Sequence, residues 1–252
     1  MFAAEPAVTL TEAGSSHTNW ALIFDAARGE GLPAKTAMEQ LVRRYWPAVY
    51  AYIRQTGRSV DEASDLTQGF VCEIILGRNL FGHADPNRGR FRTLLLTALQ
   101  NFLRQQHRSE TAARRAPDKA PLRLDEHDLA AMQPSSALTP EQAFSTQWHA
   151  TLVHRVLERV RTSCRASGLE AHWRVFEARV VRPMLFGEKR VAYAKLVELL
   201  ELDDAGQAAN MMVTVKRRFV RGLIEEVGWT VHDPMQIEEE LRALLRDMET
   251  RT

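Results

Sequence analysis

Hydrophobic residues recur at three- and four-residue steps along most of the chain, which is the period of a helix with one buried face. Such apolar stripes run from Leu41 to Ile53, Ala63 to Ile75, Phe91 to Leu103, Trp148 to Val160, Ala208 to Val227 and Ile237 to Met248. No stretch alternates apolar and polar residues long enough to predict a sheet. The pattern therefore predicts an all-α fold.

Local capping signals place several helix boundaries. Ser59-Val60-Asp61-Glu62 has the form of a capping box, and Asp233-Pro234-Met235-Gln236 combines an aspartate cap with proline at the first helical position. A glycine-rich break at Gly29 to Pro33 should end a short helix that carries Trp20, and the next helix should begin near Met38. Within that helix, Pro47 predicts either a kink or a new start.

Loss of periodicity divides the chain into two helical domains. Between Ser109 and Pro140 the apolar spacing disappears and prolines interrupt any helix, which is typical of an interdomain linker. The predicted organisation is a disordered N-terminus over 1–17, a first domain over 18–108, a linker over 109–140, a second domain over 141–228 and a C-terminal helical extension over 229–252.

The second domain contains the outline of a helix-turn-helix. Tyr193 to Leu200 predicts a short helix, Glu201 to Asp204 a polar turn, and the residues after it a long amphipathic helix. One side of the long helix carries Gln207, Asn210, Thr214, Arg217 and Arg221, flanked by Lys216 and Arg218. Amides and hydroxyls near the start of a recognition helix reach base edges, and arginines further along meet phosphates. The alternative is a plain helical hairpin.

A second basic stretch lies in the first domain. Seven arginines stand against the single acid Glu110 between residues 88 and 115: Arg88, Arg90, Arg92, Arg104, Arg108, Arg114 and Arg115. The planar guanidinium pairs with phosphates or guanine edges through two hydrogen bonds, so this bias suits a DNA surface. A solvated helix face without a ligand is the alternative.

Composition narrows the functional class. The net charge of the 252 residues is +1, so any nucleic-acid surface must come from local clustering. The cysteines Cys72 and Cys164 have no metal-ligand spacing, and the sequence contains none of the common nucleotide, zinc-hydrolase or serine-hydrolase motifs. With no apolar run of membrane-spanning length and no leader segment, we expect a cytoplasmic protein that is not an enzyme and needs no cofactor.

Several of these stretches resemble the sigma-70 family, specifically its extracytoplasmic-function class. The stretches are Tyr45 to Tyr52, Asp61 to Phe70, Asp85 to Leu95, Asn101 to Leu103 and Ala208 to Phe219, and the last three are similar to sigma-like proteins of planctomycetes and myxobacteria. Gly69 stands where many relatives carry an acid. The resemblance implies a sigma region 2 bundle, a sigma region 4 helix-turn-helix and transcription initiation as the function.

The resemblance also implies three contact surfaces. Core RNA polymerase, through its beta and beta-prime subunits, would bind Asp61, Glu62, Asp65, Leu66, Gln68 and Phe70. The promoter −10 element would bind Arg88, Arg90, Arg92, Gln100, Asn101, Arg104, Gln105 and Arg108. The −35 element would bind Gln207, Asn210, Thr214, Lys216, Arg217, Arg218 and Arg221.

Two other functions and two regulatory routes stay open at this stage. The chain could be a helix-turn-helix regulator that acts without core polymerase, or a helical interaction protein with no DNA role. For regulation, the C-terminal extension is expected either to fold back on the second domain or to bind a partner. A kinase acting on Thr67, beside Asp65, is the other route, since a phosphate there would change the charge of the polymerase-binding face.

Overall fold

The computed structural model describes residues 26–27, 31–85, 91–113, 137–228 and 234–249, and within these ranges the regular structure is helical with no strand, which confirms the all-α prediction. The α-helices are α1 (Gly31–Gln55), α2 (Val60–Phe70), α3 (Phe91–Ala113), α4 (Pro140–Ala166), α5 (Glu170–Phe176), α6 (Arg182–Phe186), α7 (Tyr193–Leu200), α8 (Ala205–Gly228) and α9 (Pro234–Glu249). Helix α2 continues as a π-helix over Val71–Leu76, α5 continues as one over Glu177–Val181, and a 3₁₀ turn spans Leu80–His83. None of the described helices combines the length and apolarity that crossing a membrane requires.

Two helices begin at capping boxes. At α2 the Glu62 amide donates to the Ser59 hydroxyl at 3.2 Å and the Ser59 amide donates to the Glu62 carboxylate at 2.8 Å, as the sequence predicts. The carboxylate accepts the Ser59 amide hydrogen bond, which lowers the pKa of Glu62 from its usual value. Thr139 and Gln142 make the same reciprocal pair ahead of α4, with Pro140 at the first helical position. These satisfied amides fix where both helices start.

One predicted helix start is wrong. Helix α1 begins at Gly31, not near Met38, because Pro33 falls in the first turn, where a missing amide costs nothing. The same helix continues through Pro47. Helix α3 ends at Ala113, beyond the predicted domain end at residue 108, and most of the predicted linker lies outside the described residues.

The first hydrophobic core is built by α1, α2 and α3 together with the start of α4. Tyr45 of α1 stacks on Trp148 of α4 with ring centroids 4.7 Å apart and planes 5° from parallel, and Phe91 packs on the other side of Tyr45 at 5.1 Å. Phe144 of α4 belongs to the same core and is fully buried. The aromatic contacts therefore fix the first two turns of α4 to the first helical block.

The second core joins the rest of α4 to α5, α8 and α9. Phe176 and Phe219 contact each other at 5.6 Å, and Val160 of α4 and Leu244 of α9 are buried in the same cluster. Helix α4 is thus a member of both cores. The domain boundary predicted at residue 140 falls at the first residue of this shared helix.

Candidate nucleic-acid interface

The face of α8 that the sequence assigns to DNA points away from the second core. We define the recognition face as Gln207, Asn210, Thr214, Arg217 and Arg221; all are exposed except Gln207, which is half-buried. Ala208, Val215 and Phe219 lie on the opposite side and are buried. Lys216 is exposed beside this face, and Arg218 is half-buried. The amphipathic pattern alone was enough to predict which side of α8 packs.

A short helix and a tight turn position the recognition face. Helix α7 ends at Leu200, and Glu201 then adopts a left-handed conformation with a φ of 52° that turns the chain toward α8. Asp204 accepts the Gln207 amide at 2.7 Å, and the side-chain oxygen of Gln207 accepts the Asp203 amide at 2.7 Å. The side-chain oxygen of Gln207 therefore caps α8, a role that was not predicted from the sequence. Its side-chain amide hydrogens remain available to contact a base.

The surface predicted to bind the −10 element lies along α3. Half of its described residues contact other side chains of the same chain. Asn101, Arg104 and Arg108 are exposed. Gln100 donates to the Glu141 carboxylate of α4 at 3.1 Å, and Gln105 accepts from Arg78 at 3.3 Å. Arg88 and Arg90, assigned to the same surface, lie outside the described residues.

Arg92 makes the strongest of these contacts. Its guanidinium lies 2.7 Å from the carboxylate of Glu240 on α9, and His149 of α4 approaches the same carboxylate at 3.4 Å. Glu240 is only 2% exposed. Helix α9 docks through Leu244, which is fully buried, and through Ile237 beside Gly228 of α8. The C-terminal extension thus folds back on the second core, and it also holds an arginine of the first helical block.

The acidic face assigned to polymerase lies on α2. Asp61, Glu62 and Asp65 are exposed, while Leu66 and Gln68 are half-buried. Phe70 differs from the prediction because it is fully buried and packs edge-on against Phe102 at 5.6 Å. It supports the acidic face from within the core and does not belong to the surface.

Two neighbouring positions on α2 also have structural explanations. A Cβ at Gly69 would lie 3.3 Å from the Phe102 ring, so glycine at this position permits close approach of α2 and α3. Thr67 is fully buried and its hydroxyl donates to the Ala63 carbonyl at 2.7 Å. A kinase acting on Thr67 would therefore need local opening of α2 to reach the hydroxyl.

A buried ionic cluster between the two helical blocks was missed. Arg44 of α1 donates to Glu226 of α8 at 2.6 Å, and Arg155 of α4 donates to the same carboxylate oxygen at 3.1 Å. Burial lowers the pKa of Arg44, while the neighbouring Tyr45 and Glu226 oppose that shift. The Glu226 carboxylate, shared by buried Arg44 and by the 39% exposed Arg155, joins α1, α4 and α8. The sequence does contain a signal for a buried charge, since Glu226 lies among Phe219, Leu223 and other members of the apolar stripe.

An arginine-lined groove between α4 and α8 was also missed. We define the arginine groove as Arg159, Ser163, Ser167, Arg218, Arg221 and Glu225. Its floor is narrow because a Cβ at Gly222 would lie 2.8 Å from Val156 of α4. The sequence predicts DNA contacts only for the two arginines of α8, Arg218 and Arg221. The hydrophobic pattern of α4 does not show which helix α4 packs against, so its side of the groove could not be predicted.

Comparison with protein-family models, with curated proteins and with solved structures returns no match for this chain.

Proposed function

We propose that the chain is a sigma factor of the extracytoplasmic-function type, which binds core RNA polymerase and directs it to promoters through −10 and −35 elements. On this proposal the first helical block acts as sigma region 2 and the second as sigma region 4. Chemistry belongs to the polymerase, and the chain itself contributes binding surfaces.

The recognition face of α8 is the observation that carries the proposal. A helix whose polar residues project from a packed domain after a short helix and a tight turn has the shape that enters a major groove. The exposed amide of Asn210 suits base contacts near the start of the helix, and the exposed guanidinium groups of Arg217 and Arg221 suit phosphate contacts about two and three turns later.

A second surface supports polymerase as the partner. The carboxylates of Asp61, Glu62 and Asp65 share the exposed side of α2, and Asp65 lies one turn after Asp61. A compact acidic face favours a basic helical partner through charge complementarity. An acidic face in the same chain as the recognition face favours a sigma factor over a regulator that binds DNA alone.

The decisive experiment is reconstitution with core RNA polymerase. We expect co-elution of the chain with core enzyme at low salt, and run-off transcription from promoters selected out of random DNA by the holoenzyme. Asp65→Lys should weaken core binding by at least about tenfold through like-charge repulsion. Glu39→Lys is the matched control, because Glu39 is an exposed acid on α1 outside the acidic face.

Each outcome separates the three candidate functions. Sequence-specific DNA binding by the free chain without core association would favour a helix-turn-helix regulator instead. If reversing the charge of Arg217 and Arg221 leaves every DNA interaction unchanged, the chain is a helical interaction protein without a DNA role. Equal core binding by the Asp65→Lys and Glu39→Lys variants would remove the acidic face from the proposal.

A further inference from the structure

The arginine groove joins helix α4 to the recognition face. Arg221 is the last member of that face, and Arg218 lies four residues after Thr214, so Arg218 continues the face by one helical turn. On the facing helix, Arg159 and Ser163 are also four residues apart and therefore share one side of α4. The groove is thus an extension of the recognition face onto a neighbouring helix.

The charges in the groove are not balanced. Three arginines stand against Glu225 alone, a formal surplus of two positive charges. Arg159 contacts Glu225 at 3.1 Å and donates to the Gly222 carbonyl at 3.1 Å. Within the described part of the chain, no carboxylate lies within ion-pair distance of Arg218 or Arg221, and Arg218 instead donates to the Ser163 hydroxyl at 3.3 Å. An anion would complete this arrangement.

We propose that the arginine groove binds a backbone phosphate of the duplex read by the recognition face, so that Arg159 and Ser163 of α4 are DNA-contacting residues. Guanidinium groups and a hydroxyl are the donors that usually hold DNA phosphates. Because Arg221 belongs to both surfaces, a strand that leaves the recognition face passes directly beside the groove. This inference rests on the proposed function, since it takes duplex DNA as the ligand of α8.

The test measures how the affinity of the holoenzyme for a selected promoter duplex varies with salt concentration. Each neutralised phosphate contributes a slope of about 0.9 in a plot of log affinity against log salt. Arg159→Gln should lower the slope by about one unit and weaken binding about tenfold, by the same factor on every sequence. Arg161→Gln is a closely matched control, because Arg159 and Arg161 are each 45% exposed and paired with a glutamate, but Arg161 lies outside the groove.

A second pair of variants avoids any effect of Arg159 on α4–α8 packing. Ser163→Asp places a carboxylate beside Arg218 and should reproduce the loss of slope, whereas Thr162→Asp, at the adjacent exposed position, should not. Thermal melts of all four variants show whether each variant is folded at the temperature of the binding assay. Wild-type slopes for both groove variants, or equal losses in the groove variants and their controls, would overturn the proposal.

The proposed function and the groove can fail separately. If no holoenzyme forms, the same four variants are compared as free chains on a random-sequence duplex, where phosphate contacts alone supply the affinity. A groove-specific change of slope there would support the groove without polymerase. No binding of the wild-type chain to any duplex would refute both.

Discussion

Glu240→Gln removes the charge with which the C-terminal helix holds Arg92. The carboxylate is 2% exposed and accepts contacts from Arg92 at 2.7 Å and from His149 at 3.4 Å. Breaking a fully buried pair costs about 3 to 5 kcal/mol. Arg92 keeps 19% of its side chain exposed and glutamine retains one acceptor oxygen, so we expect a smaller loss of about 2 kcal/mol in the free energy of unfolding.

Urea unfolding of the full chain measures this loss, and Glu238→Gln provides the control. Glu238 lies on the same helix, is 61% exposed and pairs with Arg242 one turn away, so its replacement should cost less than about 0.5 kcal/mol. A loss for Glu240→Gln no larger than that of the control would refute the reasoning. The midpoints are comparable only if the denaturant slopes agree.

The same variant has a second, opposite readout. If Arg92 belongs to the −10 surface, Glu240 competes with DNA phosphate for its guanidinium, so Glu240→Gln should increase the affinity of the chain for DNA while it decreases stability. Anisotropy with labelled promoter fragments measures that affinity. Lower stability with unchanged DNA affinity would show that Arg92 is a structural residue and not a DNA contact.

Three further predictions follow from buried groups. Glu226→Gln should destabilise the chain by about 3 to 5 kcal/mol in a denaturant titration, because two arginines lose a buried counter-ion. Thiol reagents should label Cys72 in the native protein and Cys164 only after unfolding, since Cys164 is buried and burial raises its pKa; Cys72→Ser should abolish native labelling. Ser59→Ala should cost about 1 kcal/mol at pH 7. Glu62→Gln tests the other half of the capping box, because the Glu62 carboxylate accepts from the backbone amide of residue 59. Since this bond lowers the pKa of Glu62 in the folded state, its contribution is present above the unfolded pKa and lost as the pH falls through the folded pKa, so the destabilisation by Glu62→Gln should shrink in melts below about pH 4.

Local signals account for what the sequence could predict. The capping box at Ser59, the helix Tyr193–Leu200 and the packing side of α8 each depend on residues within one or two helical turns, and the structure reproduces all three. Such features need no knowledge of the rest of the chain. They are therefore reliable even for a single sequence.

Which residues pair across the fold could not be predicted in the same way. The contact between Arg44 and Glu226 joins residues 182 positions apart. The sequence around each residue does not indicate which residue it pairs with. The sequence does show that Glu226 and Glu240 lie on the apolar sides of their helices. An acid in that position predicts a buried cation, although only the fold shows which one.

The shared helix α4 limits what this conformation can do. Its 27 residues correspond to a rod of about 40 Å. The proposed −10 and −35 elements lie about 25 base pairs apart by definition, which is about 85 Å of duplex at 3.4 Å per step. The first helical block packs on the start of α4 and the recognition helix packs on its later turns, so the helix that joins the two proposed DNA surfaces is about half as long as the duplex between their elements.

On the proposed function, we therefore expect promoter binding to separate the two helical blocks. The contacts that would have to break are the ones that occupy the DNA surfaces or join the blocks: Glu240 with Arg92, Glu141 with Gln100, and Glu226 with Arg44. All three involve a carboxylate, and once the helices part a DNA phosphate or water can take its place. The stacking of Tyr45 on Trp148 has no such replacement, so the energy for opening has to come from binding core polymerase and DNA together.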